Sequence, residues 1–482
     1  MADRARAAAR RLLPWTAPWL GALALAGGCL RYQPAPVDPA GEVAGYRARS
    51  LADAGLGRYL DSLSPAPPEG RRWQPGDLAL AALYFRTASL RQAREVEAAR
   101  VAELAAGARP QPGLELPLEI DFAGRDGSEP WGAALSAVVP LETGGKRSAR
   151  QARARAASLV ALAQAMAERW ELAQTVREAA FRVAAARGRG EAARAEAMAL
   201  DSAAGIVERR FRDGAVSAQE WARLRSESRQ ATARLAEARR GEAEAWAALA
   251  RVMGLPESAL EPVRRSPDNL RAAPSACHLL GSAPRDSLGL VAVTRRWEVR
   301  RAAAEYLVTE GEVRVAVAQS WPDLALGSGL FLDHGVGKWL VSFAVPALPL
   351  DRNRARVREA EARRRVAAAR LREAQEDVLA ELDQALARCA AVHGGLEQAG
   401  RADSALAEEQ RLADAAYRRG ETGRTELALL AVARARSQSL LLEARLAEEE
   451  AGLAAERALG TWLAVPPPVW PEPQAAPPEG GR

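Results

Sequence analysis

Residues able to do chemistry are few and scattered along these 482 residues. The three cysteines (Cys29, Cys277, Cys389) and three histidines (His278, His334, His393) lie far apart. They form no zinc spacing, CxxC pair or Cys/His neighbourhood. No GxxxxGK[ST] phosphate loop is present, and no paired carboxylates or base–nucleophile constellation stands out. What the sequence places with regularity is charge opposite apolar surface. Leu114, Leu116, Leu118, Ile120 and Phe122 alternate with a second set that includes Glu115, Glu119 and Asp121, the period of a strand with one apolar and one wet face. A second regular device is Ser217-x-x-Glu220, a capping box that opens a helix. Glu426 stands at the same offset after Gly420, with Gly423 as a poorer cap. None of this is catalytic, so an enzyme is disfavoured, and no cofactor and no metal are expected.

The elements that carry these residues follow from composition. The chain is 48% hydrophobic, 27% charged and 5% aromatic, rich in Ala, Arg, Leu and Glu, as long helices are. Net charge is +6, of which residues 1–28 hold Arg4, Arg6, Arg10 and Arg11 against Asp3. The remainder is balanced, with signs alternating along helices, so nucleic acid is not an expected partner. Residues 1–28 read as an export signal: a basic start, an apolar run over residues 12–25 interrupted by Pro14 and Pro18, then Ala26-Gly27-Gly28. Cys29 follows directly, as in a lipobox, though Ala26 stands where Leu is usual. Lipidation at Cys29 and ordinary cleavage near the same point are both open. No other segment is apolar for long enough to span a bilayer as a helix.

The chain repeats once. Pro112-Gly113-Leu114-Glu115-Leu116 answers Pro322-Asp323-Leu324-Ala325-Leu326, and Pro140-Leu141 answers Pro349-Leu350. Arg210-Phe211-Arg212-Asp213-Gly214 answers Ala416-Tyr417-Arg418-Arg419-Gly420, and Gly254-Leu255-Pro256 answers Ala464-Val465-Pro466. The predicted organisation is a linker over residues 29–72, a first repeat over 73–256, a connector over 257–286, a second repeat over 287–465 and a Pro-rich tail over 466–482. Connector and tail are expected to be irregular. Each repeat should hold a helix (77–109 with Asp77 as N-cap; 287–319), two strands, a long helix (146–213; 352–419), a glycine turn and a shorter helix (218–254; 424–463). Each long helix matches two shorter ones end to end, a rod on the order of 100 Å. Leu159, Leu162, Met166, Trp170 and Ala173 step by coiled-coil spacing and are assigned to its core.

Four segments of period two (114–122, 131–141, 324–332, 339–345) have the length of tilted membrane strands. Four strands cannot stand in lipid as an open sheet, so several chains must pool strands into one barrel. The alternative is a soluble four-stranded sheet packed on helices, which leaves the rods unexplained.

In this order, duplicated, the motifs resemble those of TolC-type outer-membrane efflux proteins, the exit ducts of RND-type efflux pumps and type I secretion systems. The resemblance covers roughly residues 70–465. It rests on the Pro-x-Leu strands, Val139-Pro140-Leu141 before Gly144-Gly145-Lys146-Arg147, the helix ends at Gly214 and Gly420, and Leu249-Ala250-Arg251-Val252-Met253-Gly254-Leu255-Pro256. One departure is Thr87-Ala88, where Asn-Pro is frequent. The resemblance implies a mainly α fold with membrane β: a homotrimer whose twelve-stranded β-barrel in outer-membrane lipid continues into a periplasmic α-helical barrel. It implies hairpin tips at Gly214, Ala215, Gly420 and Glu421 that dock a periplasmic adaptor (membrane fusion) protein, and an inner-membrane transporter of RND or ABC type as energy source. Glu220 and Glu426 match an acidic aperture position of the family, with capping as the competing role; Leu429 does not match a second acid. Glu115, Glu119 and Asp121 would face the lumen as cation-tolerant walls, and Gly144-Gly145-Lys146-Arg147 is similar to metal-cation efflux members. The rival reading is a periplasmic coiled-coil scaffold or adaptor with no channel.

Overall fold

The computed structural model describes residue 32 and residues 34–63, 72–120, 131–270, 276–281, 283–333, 336–345 and 350–463. The export signal, Cys29, Asp121, the connection over 123–130, Pro349 and the Pro-rich tail lie outside the described residues. Contacts divide the chain into two units, residues 1–48 and 49–482. Within the first, α1 spans Pro39–Ala48.

The second unit opens with α2 (Ala54–Leu63) and α3 (Pro75–Phe85). Asp77 is not the cap expected. Gln74 precedes Pro75 at the first helical position, where a missing N–H costs nothing, and the backbone N–H of Gln74 donates to Asp77 Oδ2 at 3.1 Å. The first predicted helix is two: α3 ends at Phe85 and α4 runs Thr87–Ala106, separated by Arg86 in extended conformation (ψ 119°). The second copy breaks the same way, between α9 (Arg285–Arg295) and α10 (Trp297–Ala318), at Arg296 (ψ 128°). No proline forces either break.

The long helices are α5 (Lys146–Arg212) and α11 (Leu350–Arg418), of 67 and 69 residues, and the shorter ones are α6 (Ala218–Met253) and α12 (Arg424–Leu459). Both short helices end on a left-handed glycine, Gly254 (φ 70°) and Gly460 (φ 68°), which suits a residue without a Cβ. Gly460, rather than Ala464, is therefore the counterpart of Gly254. The connector is not irregular as expected: it holds short helical turns, including α7 (Glu261–Arg264) and α8 (Ala276–Leu280).

Strands β1 (Gly113–Glu115) and β2 (Leu118–Ile120) replace one predicted strand. Pro117 between them has no N–H to give, and only its carbonyl joins the ladder, accepting from Ala134 N at 2.9 Å. Strands β3 (Trp131–Leu141), β4 (Leu324–Asp333) and β5 (Val336–Ala344) complete an antiparallel sheet of order β1/β2, β3, β4, β5.

The main apolar core gathers Leu56, Leu78, Trp170, Trp246, Met253 and Leu260 where α2, α3, α5, α6 and the connector meet. Its counterpart in the second copy holds Leu280, Ala292, Val378, Leu382 and Leu459. A third cluster, with Leu200, Val207, Leu224 and Val432, lies toward the glycine turns. Met166, Trp170 and Ala173 of the predicted stripe are buried, whereas Leu159 is 45% exposed.

Candidate functional site

Two regions carry the residues singled out from sequence: the sheet and the glycine turns. Across the sheet, cross-strand partners share a face. Leu135, Leu330 and Trp339 form one row, and Val139, Leu326 and Phe343 another. This face stays open in the single chain: Leu118 is 80% and Trp339 70% exposed. The opposite face is mostly small or polar. Glu115 is exposed there, in register with Ser136 and Gly329, and Glu119 falls opposite Gly132, in line with Asp333. Two glycines of β4 face close neighbours, and at one of them packing requires glycine. A Cβ on Gly327 would press on Ser342 Oγ, which can turn away, whereas one on Gly329 would come 2.7 Å from Ser136 Cβ and 3.0 Å from the Leu135 carbonyl.

The sheet is tied to its helices by polar contacts at the junction. Lys146 at the start of α5 pairs with Asp323 at 2.7 Å, Thr143 N donates to Asp323 Oδ1 at 3.2 Å, and Arg150 pairs with Glu142. The helices keep the order of the strands. Nearest the sheet, α5 packs between α4 and α10, and α10 also packs on α11; beyond the breaks, α5 packs between α6 and α12, and α12 on α11. Four lanes result, α4 with β1, α5 with β3, α10 with β4 and α11 with β5, in one sequence through both layers.

The turns are built as the sequence implies. Gly214 (φ 72°) and Gly420 (φ 80°) are left-handed. Ser217 Oγ accepts from Glu220 N at 3.1 Å, whereas Gly423 gives no side-chain cap to α12. Glu220 and Glu426 are both third helical residues, exposed, and favoured by the helix dipole there; Thr422 also donates to Glu426. Arg419 donates to both oxygens of Glu421 at 2.7 and 2.8 Å and holds that carboxyl below its ordinary range. Phe211 stacks on Trp221 at 5.0 Å. Arg210 Nη1 donates to Thr425 Oγ1 at 3.0 Å, which puts the two turns side by side.

Sequence reading missed three features of these helices. Arg436 on α12 bridges Glu196 on α5 (3.1 Å) and Glu227 on α6 (3.0 Å). Arg177 on α5 pairs with buried Glu456 on α12 at 2.6 Å. Cys277 on α8 is disulfide-bonded to Cys389 on α11, 112 positions further along the sequence. His278 and His393 line the same cavity as these sulfurs, so the fold makes a Cys/His neighbourhood that the sequence reading denied. Among the described residues no group of three His, Cys, Asp or Glu is placed to hold a metal ion.

Ordered lanes, an apolar-faced sheet and paired helical hairpins are the features by which the chain can be compared with known proteins. Residues 83–255 match the family model described as outer membrane efflux protein. The chain resembles the outer-membrane channel OprN at 19% identity and TM-score 0.66, covering 90% of this chain and 98% of that one. It resembles VceC of Vibrio cholerae at 17% and 0.62 (80% and 96% covered) and, in the open state, MtrE of Neisseria gonorrhoeae at 19% and 0.60 (80% and 89%). No curated protein matches. Over residues 83–255 the chain thus resembles the outer membrane efflux protein family, and as a whole it has the TolC-like fold, mainly α with a β-sheet at one end, as its motifs implied.

Proposed function

We propose that three copies of this chain form an outer-membrane duct that passively conducts solutes from the periplasm out of the cell as the exit stage of a tripartite efflux pump. The observation that carries the reading is the shared lane order. Strands and helices follow one another in a single sequence, and both layers are left open at the same two lanes: α4 with β1/β2, and α11 with β5. Unpaired strand edges beside an apolar face cannot persist in lipid, so closure by further copies suits both layers at once. With β1 and β2 sharing one lane, three copies give twelve strand lanes.

In this reading the turns at Gly214-Ala215 and Gly420-Glu421 are the docking tips for a periplasmic adaptor, an RND or ABC transporter in the inner membrane supplies energy, and Glu220 and Glu426 narrow the periplasmic aperture. Glu115 and Glu119 line the bore at strand level. Arg436 and the Arg210–Thr425 contact hold the two hairpins together, and the duct opens when they part.

The purified full chain should migrate as a heat-sensitive trimer from outer membranes and give discrete conductance steps in planar bilayers. A soluble monomer without conductance would favour a periplasmic scaffold instead.

A further inference from the structure

Charge is not evenly mixed along α11. Residues 350–372 hold nine arginines and three acids, and residues 373–418 hold four arginines and ten acids. The expected alternation of sign therefore fails on this helix. The basic block sits directly beneath the sheet. Arg364 pairs with Glu310 of the antiparallel α10 at 3.0 Å, so eight residues along each helix Arg356 comes level with Ala318, where α10 ends.

At about 100° per residue, the block has four sides. Asn353, Ala360 and Ala367 recur every seventh residue and are buried, on the side from which Arg364 reaches α10. The opposite side is small, apolar and exposed: Ala355, Ala362, Val366 and Ala369. Between these two seams run two exposed stripes, one of Arg352, Arg356, Arg363 and Arg370, the other of Arg354, Arg358, Arg365 and Arg372. Among the described residues their side-chain bonds stay within the helix, Arg363 to Glu359 and Arg372 to the Ala368 carbonyl.

A helix with α10 on one seam and a second copy on the other turns one remaining side inward and one outward. Either candidate for the inward side is arginine. We propose that the amino-terminal third of α11 presents an arginine ladder to the interior of the duct and transiently holds solutes bearing several oxyanion groups (phosphate, sulfonate or carboxylate). The inference rests on the trimeric duct proposed above and names the class of solute it favours. Guanidinium forks match oxyanions bidentately, low-dielectric walls concentrate the field, and a ladder about 27 Å long offers successive weak sites that permit release.

The test uses the full chain in neutral phosphatidylcholine bilayers, with inositol hexakisphosphate added from the strand end of the channel. The wild type should show transient, salt-sensitive block. Of two variants, R352Q/R356Q/R363Q/R370Q and R354Q/R358Q/R365Q/R372Q, one should lose block by on the order of tenfold or more in affinity, as when several charge-assisted contacts to one polyanion are removed. The other should keep it and report intact assembly. A wild type that is not blocked, or two variants that behave alike, overturns the ladder. Absence of any conductance step in all three proteins overturns the duct itself.

Discussion

Arg296 packs against Gly460 as Arg86 packs against Gly254, each arginine at a helix break lying on the left-handed cap of the short helix in its own repeat. A Cβ on Gly460 would meet Arg296 Cδ at 3.2 Å, and one on Gly254 would meet Arg86 Cδ at 2.8 Å. Arg296 is also a hub. Its guanidinium donates to Glu381 Oε2 at 2.8 Å, Glu298 Oε2 at 3.0 Å and the carbonyls of Arg457 and Ala458 at 3.2 and 3.3 Å. These partners outweigh burial and raise its pKa. Arg296→Met should lower stability by about 2–3 kcal/mol, the loss of charge-assisted bonds to buried carbonyls. Arg86→Met, at a half-buried site, should cost less. Denaturant midpoints check both, and equal effects would contradict the hub.

The glycine caps predict a sign difference. Gly254→Ala and Gly460→Ala place a Cβ in left-handed backbone and should each cost about 1–2 kcal/mol. Gly205→Ala and Gly241→Ala, inside α5 and α6 with open space around them, should gain about 0.5–1 kcal/mol. Thermal unfolding of the four variants decides; a stabilising Gly460→Ala would mean the cap conformation is wrong.

The Cys277–Cys389 bond ties the connector to the middle of α11. Removing it by C277S/C389S should cost about 2–4 kcal/mol, and only the wild type should respond to reductant. Identical unfolding of the wild type with and without reductant would show that the bond does not form in solution.

Hydrogen bonding to Glu448, at 2.9 Å from His393 Nδ1, raises the imidazole pKa. Such a group stabilises fully below its unfolded value of about 6.5, and the contribution is lost as pH rises through the raised folded value. The difference in melting temperature between the wild type and His393→Gln should therefore shrink as pH rises above neutrality. A difference that widens would reverse the assigned sign.

Among the described residues, Arg436 joins α12 to both α5 and α6 near the turns. In the trimeric duct proposed above, Arg436→Gln should release the second hairpin and increase single-channel conductance while trimer yield stays unchanged. Unaltered conductance would place the constriction elsewhere.

Much of this architecture is legible in sequence because it rests on period. The 3–4 spacing around Trp170 persists along a helix of 67 residues, and alternation over residues 131–141 sorts lipid-style from wet positions without any tertiary knowledge. What escaped depends on distant neighbours. Arg86 breaks its helix with no proline, since its conformation is set by contact with the Gly254 cap. Leu159 is exposed because the neighbours of α5 change along its length. Cys277 and Cys389 carry no spacing that announces their pairing. Prolines misled in smaller ways: Pro75, not Asp77, marks the start of α3, and Pro117 splits a strand that alternation alone would leave whole.

Gly327 and Gly329 have a consequence for calibre. Large side chains crowd one surface of β4, and at these two positions the other surface has nothing but backbone, with Ser136 and Ser342 drawn in close. A ribbon upholstered on one side bends toward its bare side. In the duct proposed above, the missing side chain at Gly329 would thus let the strands curl more tightly, and an alanine there would press on Ser136 and the Leu135 carbonyl and alter the diameter of the aperture.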